Sequence, residues 1–328
     1  MSSPPPTRAA HRALAVDAVV EACRLAREVA ANLDGERAHL KSDASPVTVA
    51  DFAVQALIAH RLRHALGDVA LVAEESADAV RGDGALAGRV LAHVQRHVPS
   101  LSEPQLLELL DRGRHPGGTG PFWTLDPIDG TKGFLRGEQY AIALAWVDGG
   151  DVQLGVLGCP NLPASGERGC IAIAAAGHGA TLRGIADPTE RPIRVSAIAD
   201  PSRAAFCESV EAAHSSHDAA ARIAAQLGIT APAVRMDSQC KYVAVARGDA
   251  EIYLRLPTRA GYEENLWDHA AGALLVREAG GRLTDVLGRP LAFSLGRTLR
   301  GNRGVIATNG ALHDAVLAAT RPLFEPTA

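Results

Sequence analysis

The most constraining feature of the sequence is the hexapeptide DPIDGT at residues 126–131. A short apolar segment, residues 122–125, precedes it and predicts a buried strand, and the end of the hexapeptide predicts the start of a helix. The carboxylates of Asp126 and Asp129 can converge there on hard cations, which prefer oxygen ligands, and the carbonyl of Ile128 could add another oxygen. The N–H groups at a helix start suit a phosphate. The hexapeptide therefore predicts adjacent metal and phosphate sites, with a simple tight turn as the alternative.

Acidic residues elsewhere in the chain could complete a cluster with this hexapeptide. Glu74 follows a predicted buried strand, and the active-site residues of open α/β sheets collect at strand ends. Asp51 lies in the first turn of a predicted helix, and Asp268 begins another. Taken singly, an acidic residue in a first helical turn is more often a cap or a dipole partner, and the Glu74-Glu75 pair is more often a solvated turn.

Apolar periodicity predicts an α/β fold, an α+β sandwich in which two lobes share one cleft. Residues 77–120 show little periodicity and predict surface helices and loops. We divide the chain into a disordered stub (residues 1–8), an N-terminal lobe with the metal site (residues 9–187) and a C-terminal lobe (residues 188–328). The predicted helices cover residues 10–33, 49–66, 217–227, 241–247, 267–279 and 311–323, and the predicted strands cover residues 69–73, 122–125, 140–147, 152–157, 171–176, 193–196, 204–207, 233–236, 251–256 and 305–307.

Composition excludes several classes of function. The chain carries 33 basic and 37 acidic residues without a block of like charge, so the basic face that nucleic-acid binding needs is not indicated. Its five cysteines are scattered and show no CxxC spacing, which predicts buried reduced thiols rather than disulfides or a thiolate zinc site. No apolar run approaches the length of a membrane span. We expect a cytoplasmic monomer with no nucleic-acid or membrane partner, and the short Ser/Pro-rich start leaves organelle targeting open.

The order of the acidic motifs resembles the inositol monophosphatase superfamily of lithium-sensitive, magnesium-dependent phosphatases. The motifs are Asp51, EES at residues 74–76, DPIDGT at residues 126–131 and WDHAA at residues 267–271. This resemblance implies a layered αβαβα fold of the inositol-monophosphatase and fructose-1,6-bisphosphatase type, with two lobes around one metal cleft.

Longer strings are similar to the 3′(2′),5′-bisphosphate nucleotidase branch of that superfamily. They are SPVTVAD at residues 45–51, WTLDPIDGTKGFLRGEQ at 123–139, GCPNL at 158–162, HSSHD at 214–218, DSQCKY at 237–242 and YLRLP at 253–257. The similarity implies hydrolysis of the 3′-phosphate of adenosine 3′,5′-bisphosphate (PAP) to give AMP, and of its sulfated relative PAPS to give adenylyl sulfate. Sulfur metabolism is the setting that this chemistry suggests.

The resemblance also implies roles for individual residues, with two to three Mg²⁺ ions as cofactor. Asp126, the Ile128 carbonyl and Glu74 would bind the first ion, Asp126, Asp129 and Asp268 the second, and Asp51 and Glu74 would approach a third. Asp51 and Thr131 would prepare the attacking water as the catalytic pair. The substrate would contact Gly130, Thr131 and Asp268 near the scissile phosphate, and His214, Ser238, Lys241 and Arg255 around the nucleotide.

Alternatives remain for some of these residues and for the function. Arg255 lies on an apolar strand, where its charge needs an anion or, more commonly, an intramolecular salt bridge. His214 and His217 have a zinc-like spacing but lack nearby Cys or His partners, so a zinc-binding interaction protein is a distant alternative. Within the same superfamily the alternatives are an inositol polyphosphate 1-phosphatase and an inositol monophosphatase. A sensor that binds PAP without hydrolysing it is the alternative outside the enzymes.

Overall fold

The computed structural model describes residues 7–32, 39–40, 46–164, 166–210, 217–259 and 261–324. Most of the predicted N-terminal stub, the loop at residues 41–45 and His214 therefore lie outside the described residues. The helices are α1 (Arg8–Ala30), α2 (Val49–Leu66), α3 (Asp78–Arg81), α4 (Gly84–Gln95), α5 (Glu103–Asp111), α6 (Thr131–Leu135), α7 (His217–Leu227), α8 (Cys240–Ala246), α9 (Ala270–Glu278) and α10 (His313–Thr320). The strands are β1 (His39–Leu40), β2 (Pro46–Val47), β3 (Leu71–Ala73), β4 (Phe122–Asp129), β5 (Ala141–Asp148), β6 (Asp151–Cys159), β7 (Cys170–Ala175), β8 (Ala180–Gly184), β9 (Arg191–Ile193), β10 (Phe206–Glu208), β11 (Val234–Arg235), β12 (Ile252–Arg255), β13 (Arg282–Thr284) and β14 (Val305–Thr308).

A seven-stranded sheet runs in the order β3-β4-β5-β6-β7-β8-β9. Only the β3–β4 pair is parallel; each later pair is antiparallel. Successive side chains of β5 point to opposite faces of the sheet, and the two faces carry residues of different size. Ile142 and Leu144 pack with the core under α1 and α2, whereas Ala141, Ala143 and Ala145 face the core shared with α8 and α9. Small side chains on that second face allow α8 and α9 to approach the sheet closely.

A second sheet of five strands completes the layers, in the order β11-β10-β12-β14-β13. One face shares the core of α8 and α9, and the other packs under α7 and α10 through residues such as Ile223, Ile252, Ile306 and Val316. The layers are therefore helices, sheet, helices, sheet and helices. The predicted αβαβα fold is confirmed.

Some predicted elements differ from the observed ones. The strand predicted at residues 122–125 extends to Asp129, because the acidic hexapeptide stays paired with β5. The helix predicted to begin at Trp267 begins at Ala270, and the segment predicted as surface helices and loops contains α4 and α5, whose apolar sides are buried against α2. One sheet ends at Ile193 and the other begins at Phe206, while the division into lobes near residue 188 stays a prediction.

Two expectations from composition can be compared with the structure. All five cysteines are buried and form no disulfide. Among the described helices, none combines the length and the apolar character that a membrane crossing requires.

The packing of α1 on β6 gives a stability prediction. A Cβ atom at Gly158 would lie 2.4 Å from Cys23 Sγ and 2.7 Å from Val19 Cγ1, so Gly158→Ala should lower the free energy of unfolding by about 1–3 kcal/mol. A Cβ at Gly88, in the middle of α4, meets nothing within 4 Å, so the control Gly88→Ala should raise stability by about 0.5–1 kcal/mol. Urea unfolding of both variants measures the difference, and equal midpoints would contradict the packing.

Candidate active site

A β-bulge in β4 brings Asp126 and Asp129 to one site. Asp126 pairs with Ala143 and Asp129 with Ala141, so three steps along β4 match only two along β5. In a regular strand, residues three apart point to opposite faces; the extra residue lets both carboxylates reach the same side. Pro127 lies within the irregular stretch, where a residue without an N–H is tolerated.

Glu74 joins the pair through the parallel pairing of β3 and β4. Its N–H donates a hydrogen bond of 3.2 Å to the carbonyl of Leu125, the residue before Asp126. Asp268 arrives from the turn before α9. The structure places these residues around one cleft of about 370 Å³, lined by Glu74, Asp126, Ile128, Asp129, Gly130, Thr131, Lys132, Asp237, Ser238, Gln239, Lys241, Tyr253, Arg255, Tyr262, Asn265 and Asp268.

The carboxylates in this cleft repel one another. Burial raises the pKa of Asp126 well above its usual range, and the charges of Glu74, Asp129 and Asp268 raise it further. Burial also raises the pKa of Asp268, although Arg255 opposes that shift. Oδ1 of Asp126 is buried and accepts no hydrogen bond from any described residue. A buried oxygen without a donor, surrounded by other carboxylates, fits a divalent cation.

Asp51 caps a helix and is fully buried; it is not among the residues that line the cleft, but it faces Thr131, which is. It is the third residue of α2, and its Oδ2 accepts hydrogen bonds from the N–H and the hydroxyl of Thr48, each 2.7 Å long. The hydroxyl of Thr131 lies 3.4 Å from Oδ1 of the same carboxylate. The cap therefore fixes the orientation in which Asp51 faces Thr131.

The turn before α8 closes against the acidic hexapeptide. The N–H of Gln239 donates a hydrogen bond of 2.5 Å to Oδ2 of Asp129. Ser238 adopts a φ of 68°, and among the described residues it is the only one other than glycine with a positive φ. A Cβ at Gly130, whose φ is 87°, would lie 3.0 Å from the Cβ of Ser238. Gly130 is thus required both for its own conformation and for this approach.

Two cationic side chains of the cleft differ in their partners. The Lys241 ammonium is buried, donates to the carbonyl of Met236 at 3.3 Å and has no carboxylate within ion-pair distance among the described residues. Burial lowers its pKa, an effect that the charge of Asp129 partly opposes. Arg255 donates to Glu264 at 2.8 Å and to Asp268 at 3.4 Å, so the intramolecular salt bridge considered from the sequence is present. Arg255 nevertheless still lines the cleft.

A sequence profile of the inositol monophosphatase family matches residues 7–323. The chain belongs to this family. Its relatives include the 3′(2′),5′-bisphosphate nucleotidase of Emericella nidulans, 43% identical over 321 residues that cover 87% of this chain and 90% of the relative. The 3′(2′),5′-bisphosphate nucleotidase 1 of Arabidopsis thaliana is 44% identical and covers 92% of each chain. These relatives confirm the predicted phosphatase class, and enzymes of the inositol monophosphatase family are generally metal-dependent.

Solved structures of more distant inositol monophosphatase relatives share the fold. The extragenic suppressor protein suhB from Bartonella henselae aligns with a TM-score of 0.66 and 20% identity, covering 94% of this chain and 97% of that one. The IMPase from Thermotoga maritima aligns with a TM-score of 0.65 and 21% identity, covering 94% and 96%. At this level of identity the likeness concerns the fold alone.

Sequence reasoning missed one network in this member of the inositol monophosphatase family. Glu264 accepts hydrogen bonds from Arg255 and from Nε2 of His269 (3.3 Å), and Nδ1 of His269 lies 2.6 Å from the hydroxyl of Tyr242. Ligand atoms of Glu264, Asp268 and His269 lie within 4.8 Å of one another, but the Arg255 guanidinium already supplies the positive charge beside Glu264. We therefore assign Glu264 and His269 to hydrogen bonding. The sequence has no motif for it, because its members converge only through β12, α8 and the turn before α9.

The acidic cluster predicts how pH affects the metal-free protein. The folded-state pKa of Asp126 lies above the unfolded value near 3.8, so the folded protein binds more protons, and the free energy of unfolding falls as the pH rises above that value. In EDTA, Asp126→Asn should unfold at a temperature about 2–4 °C higher than the wild type near about pH 8, with a smaller gap near about pH 5. Thermal unfolding at both pH values measures this.

A matched control for that measurement is Asp314→Asn, since Asp314 is an exposed carboxylate on α10. Its unfolding temperature should follow that of the wild type across the pH range. Parallel curves for Asp126→Asn and the wild type would contradict the repulsion inferred for the cluster.

Proposed function

We propose that this chain is a magnesium-dependent phosphatase that hydrolyses the 3′-phosphate of PAP to give AMP and phosphate, and that also converts PAPS to adenylyl sulfate. The observation that carries the proposal is a cleft lined both by carboxylates and by two cations, the buried Lys241 and the partly buried Arg255. A substrate with two phosphates can use the carboxylates, through bound metal, and the cations together. The relatives named as 3′(2′),5′-bisphosphate nucleotidases, similar over nearly the whole chain, support the same substrate class.

The carboxylates of the cleft would hold two to three Mg²⁺ ions. Glu74, Asp126, Asp129, Asp268 and the carbonyl of Ile128 supply only oxygen ligands, which is the donor set that Mg²⁺ prefers. Bound magnesium would supply positive charge next to the phosphate oxygens and would make a nearby water more acidic.

Asp51 and Thr131 would form the pair that prepares the attacking water. The Thr131 hydroxyl can donate a hydrogen bond to Asp51 and accept one from a water molecule, so that a proton of the water would pass through the hydroxyl to Asp51. The water oxygen forms a bond to phosphorus, the bond from phosphorus to the 3′-oxygen breaks, and that oxygen takes a proton from solvent. N–H groups after Gly130 would contact the phosphate oxygens during this step.

Lys241, Arg255 and Ser238 would recognise the rest of the nucleotide. Lys241 is a buried ammonium whose only described hydrogen bond goes to a backbone carbonyl, so it retains donors for an anion. Arg255 and Ser238 border the same space, and His214 stays a predicted contact outside the described residues. The 5′-phosphate of PAP is the anion that we assign to Lys241 and Arg255. A cytoplasmic location and a monomeric state likewise stay predictions.

Two other functions are distinguishable from this one by assay. An inositol polyphosphate 1-phosphatase or an inositol monophosphatase would prefer inositol 1,4-bisphosphate or inositol monophosphate when each is compared with PAP. A sensor that does not catalyse would bind PAP tightly and release no phosphate in Mg²⁺. The contact between Asp51 and Thr131 favours hydrolysis over sensing.

The metal assignment predicts the effect of two substitutions. Phosphate release from PAP should require Mg²⁺, and Asp126→Asn or Asp268→Asn should lower kcat by about 10³-fold or more, because each removes a charged ligand from the reacting phosphate. Asp314→Asn, outside the cleft, should retain wild-type activity. A magnesium-dependent kcat near the wild-type value in either cleft variant would remove that residue from the ligand set.

Recognition of the second phosphate predicts a difference between two substrates. Lys241→Met preserves the length of the side chain but removes a charged hydrogen bond worth about 1.5–3 kcal/mol, so kcat/KM for PAP should fall about 10- to 100-fold. Adenosine 3′-phosphate lacks the 5′-phosphate, and its kcat/KM should change little. An equal loss for both substrates would show that Lys241 does not contact the 5′-phosphate.

A further inference from the structure

Arg297 makes contacts that no sequence motif predicted. Its Nη1 donates hydrogen bonds to the carbonyls of Gly113 (2.7 Å) and His115 (3.1 Å), and its Nη2 donates to the carbonyl of Ala73 (2.5 Å). No carboxylate lies within ion-pair distance of it among the residues that the structure describes. A half-buried guanidinium usually pairs with a carboxylate, whereas this one directs its donors to backbone carbonyls.

The three carbonyls lie around the end of β3, the strand that presents Glu74 to the cleft. Ala73 is the last residue of β3 and directly precedes Glu74. The residues near Gly113 run beside β3, since the N–H of Ala73 donates to the carbonyl of Gly113 (2.9 Å) and that of His115 to the carbonyl of Leu71 (3.1 Å). Arg297 therefore fixes the end of β3 at the point where Glu74 leaves the sheet.

The same side chain contacts the segment that presents Asp268. The Arg297 guanidinium lies 4.8 Å from the centre of the Trp267 ring, and Trp267 directly precedes Asp268. The backbone adds a second link, because the N–H of Leu266 donates to the carbonyl of Arg297 at 3.0 Å. One residue thus contacts the backbone before Glu74 and the ring before Asp268.

We propose that Arg297 is a positioning residue that fixes the separation of Glu74 and Asp268 and thereby sets the affinity of the cleft for Mg²⁺. Glu74 follows β3 and Asp268 precedes α9, so no single strand or helix fixes the distance between the two carboxylates. A planar guanidinium can hydrogen-bond several carbonyls along its edge and stack an aromatic ring on its face at the same time, whereas an ammonium has neither the flat face nor the fixed fork of donors. This inference rests on the proposed metal-dependent function.

The test is Arg297→Lys in the full chain. This substitution retains the positive charge but removes the several N–H donors of the guanidinium and its stacking on Trp267. Calorimetric titration of the substrate-free protein with Mg²⁺ should show a Kd about 10- to 100-fold higher than in the wild type, the range for residues that orient metal ligands. The Mg²⁺ concentration for half-maximal PAP hydrolysis should rise by the same factor. Saturating Mg²⁺ should restore kcat, a rescue that general loss of structure would not give.

Arg27→Lys is the matched control. Arg27 also donates to backbone carbonyls, those of Pro160 (2.6 Å) and Arg168, but it does not line the cleft. Its replacement should leave the Kd for Mg²⁺ unchanged, whatever it does to the unfolding temperature. Trp267→Leu removes the stacking partner from the other side and should raise the Kd in the same direction, with an effect that does not add to that of Arg297→Lys.

The possible results distinguish a failure of the positioning role of Arg297 from a failure of the proposed phosphatase function. If the wild type binds Mg²⁺ and hydrolyses PAP while a folded Arg297→Lys variant keeps the wild-type Kd, the positioning role is wrong and the function stands. If Arg297→Lys does not fold, Trp267→Leu decides the question by the same titration. If the wild type shows neither Mg²⁺ binding nor PAP hydrolysis, the proposed function fails, and the positioning role fails with it.

Discussion

Carboxylates in the cleft are close enough to repel one another, and the surrounding elements have to hold them against that repulsion. Asp126 and Asp268 have raised pKa values because burial and neighbouring negative charges act together. Such a cluster is stable only if the surrounding fold holds its members in place or a cation neutralises them. The fold must therefore provide rigid supports for side chains that would otherwise move apart.

The supports are hydrogen bonds made at the ends of secondary structure. The capping box of α2 fixes Asp51, the N–H of Gln239 fixes Asp129, and the parallel pairing of β3 with β4 places Glu74 beside Asp126. In each case a backbone N–H group at the end of a helix or strand bonds to a carboxylate or to the residue next to one. Such N–H groups are available because regular secondary structure leaves them without a partner at its ends. The cluster is thus built into the frame of the αβαβα layers and not carried on a separate loop.

Positive charge around the cleft is divided among side chains with different partners. Arg255 pairs with Glu264 and Asp268, which leaves Lys241 as the buried cation without a described carboxylate partner. Arg297 binds only carbonyls and an aromatic ring among the described residues. These three cations differ in what they contact: Arg255 contacts carboxylates, Lys241 contacts one backbone carbonyl and retains donors for an anion, and Arg297 contacts backbone carbonyls and a ring.

The family, the layered fold and the acidic residues of the cleft could be predicted from the sequence, because they depend on local patterns such as the apolar segment before DPIDGT and the apolar periodicity of the helices and strands. The hairpin between β5 and β6 and the helix α7 lie where periodicity predicted them. Most of the predicted site residues line one cleft, although their roles stay proposals: Glu74, Asp126, Asp129, Asp268, Lys241 and Arg255. Three features could be seen only in the folded chain: the bulge that turns Asp126 and Asp129 to one side, the partners of Arg255 and the contacts of Arg297. Those contacts join residues far apart in the chain, and their energies depend on distances that a sequence pattern does not encode.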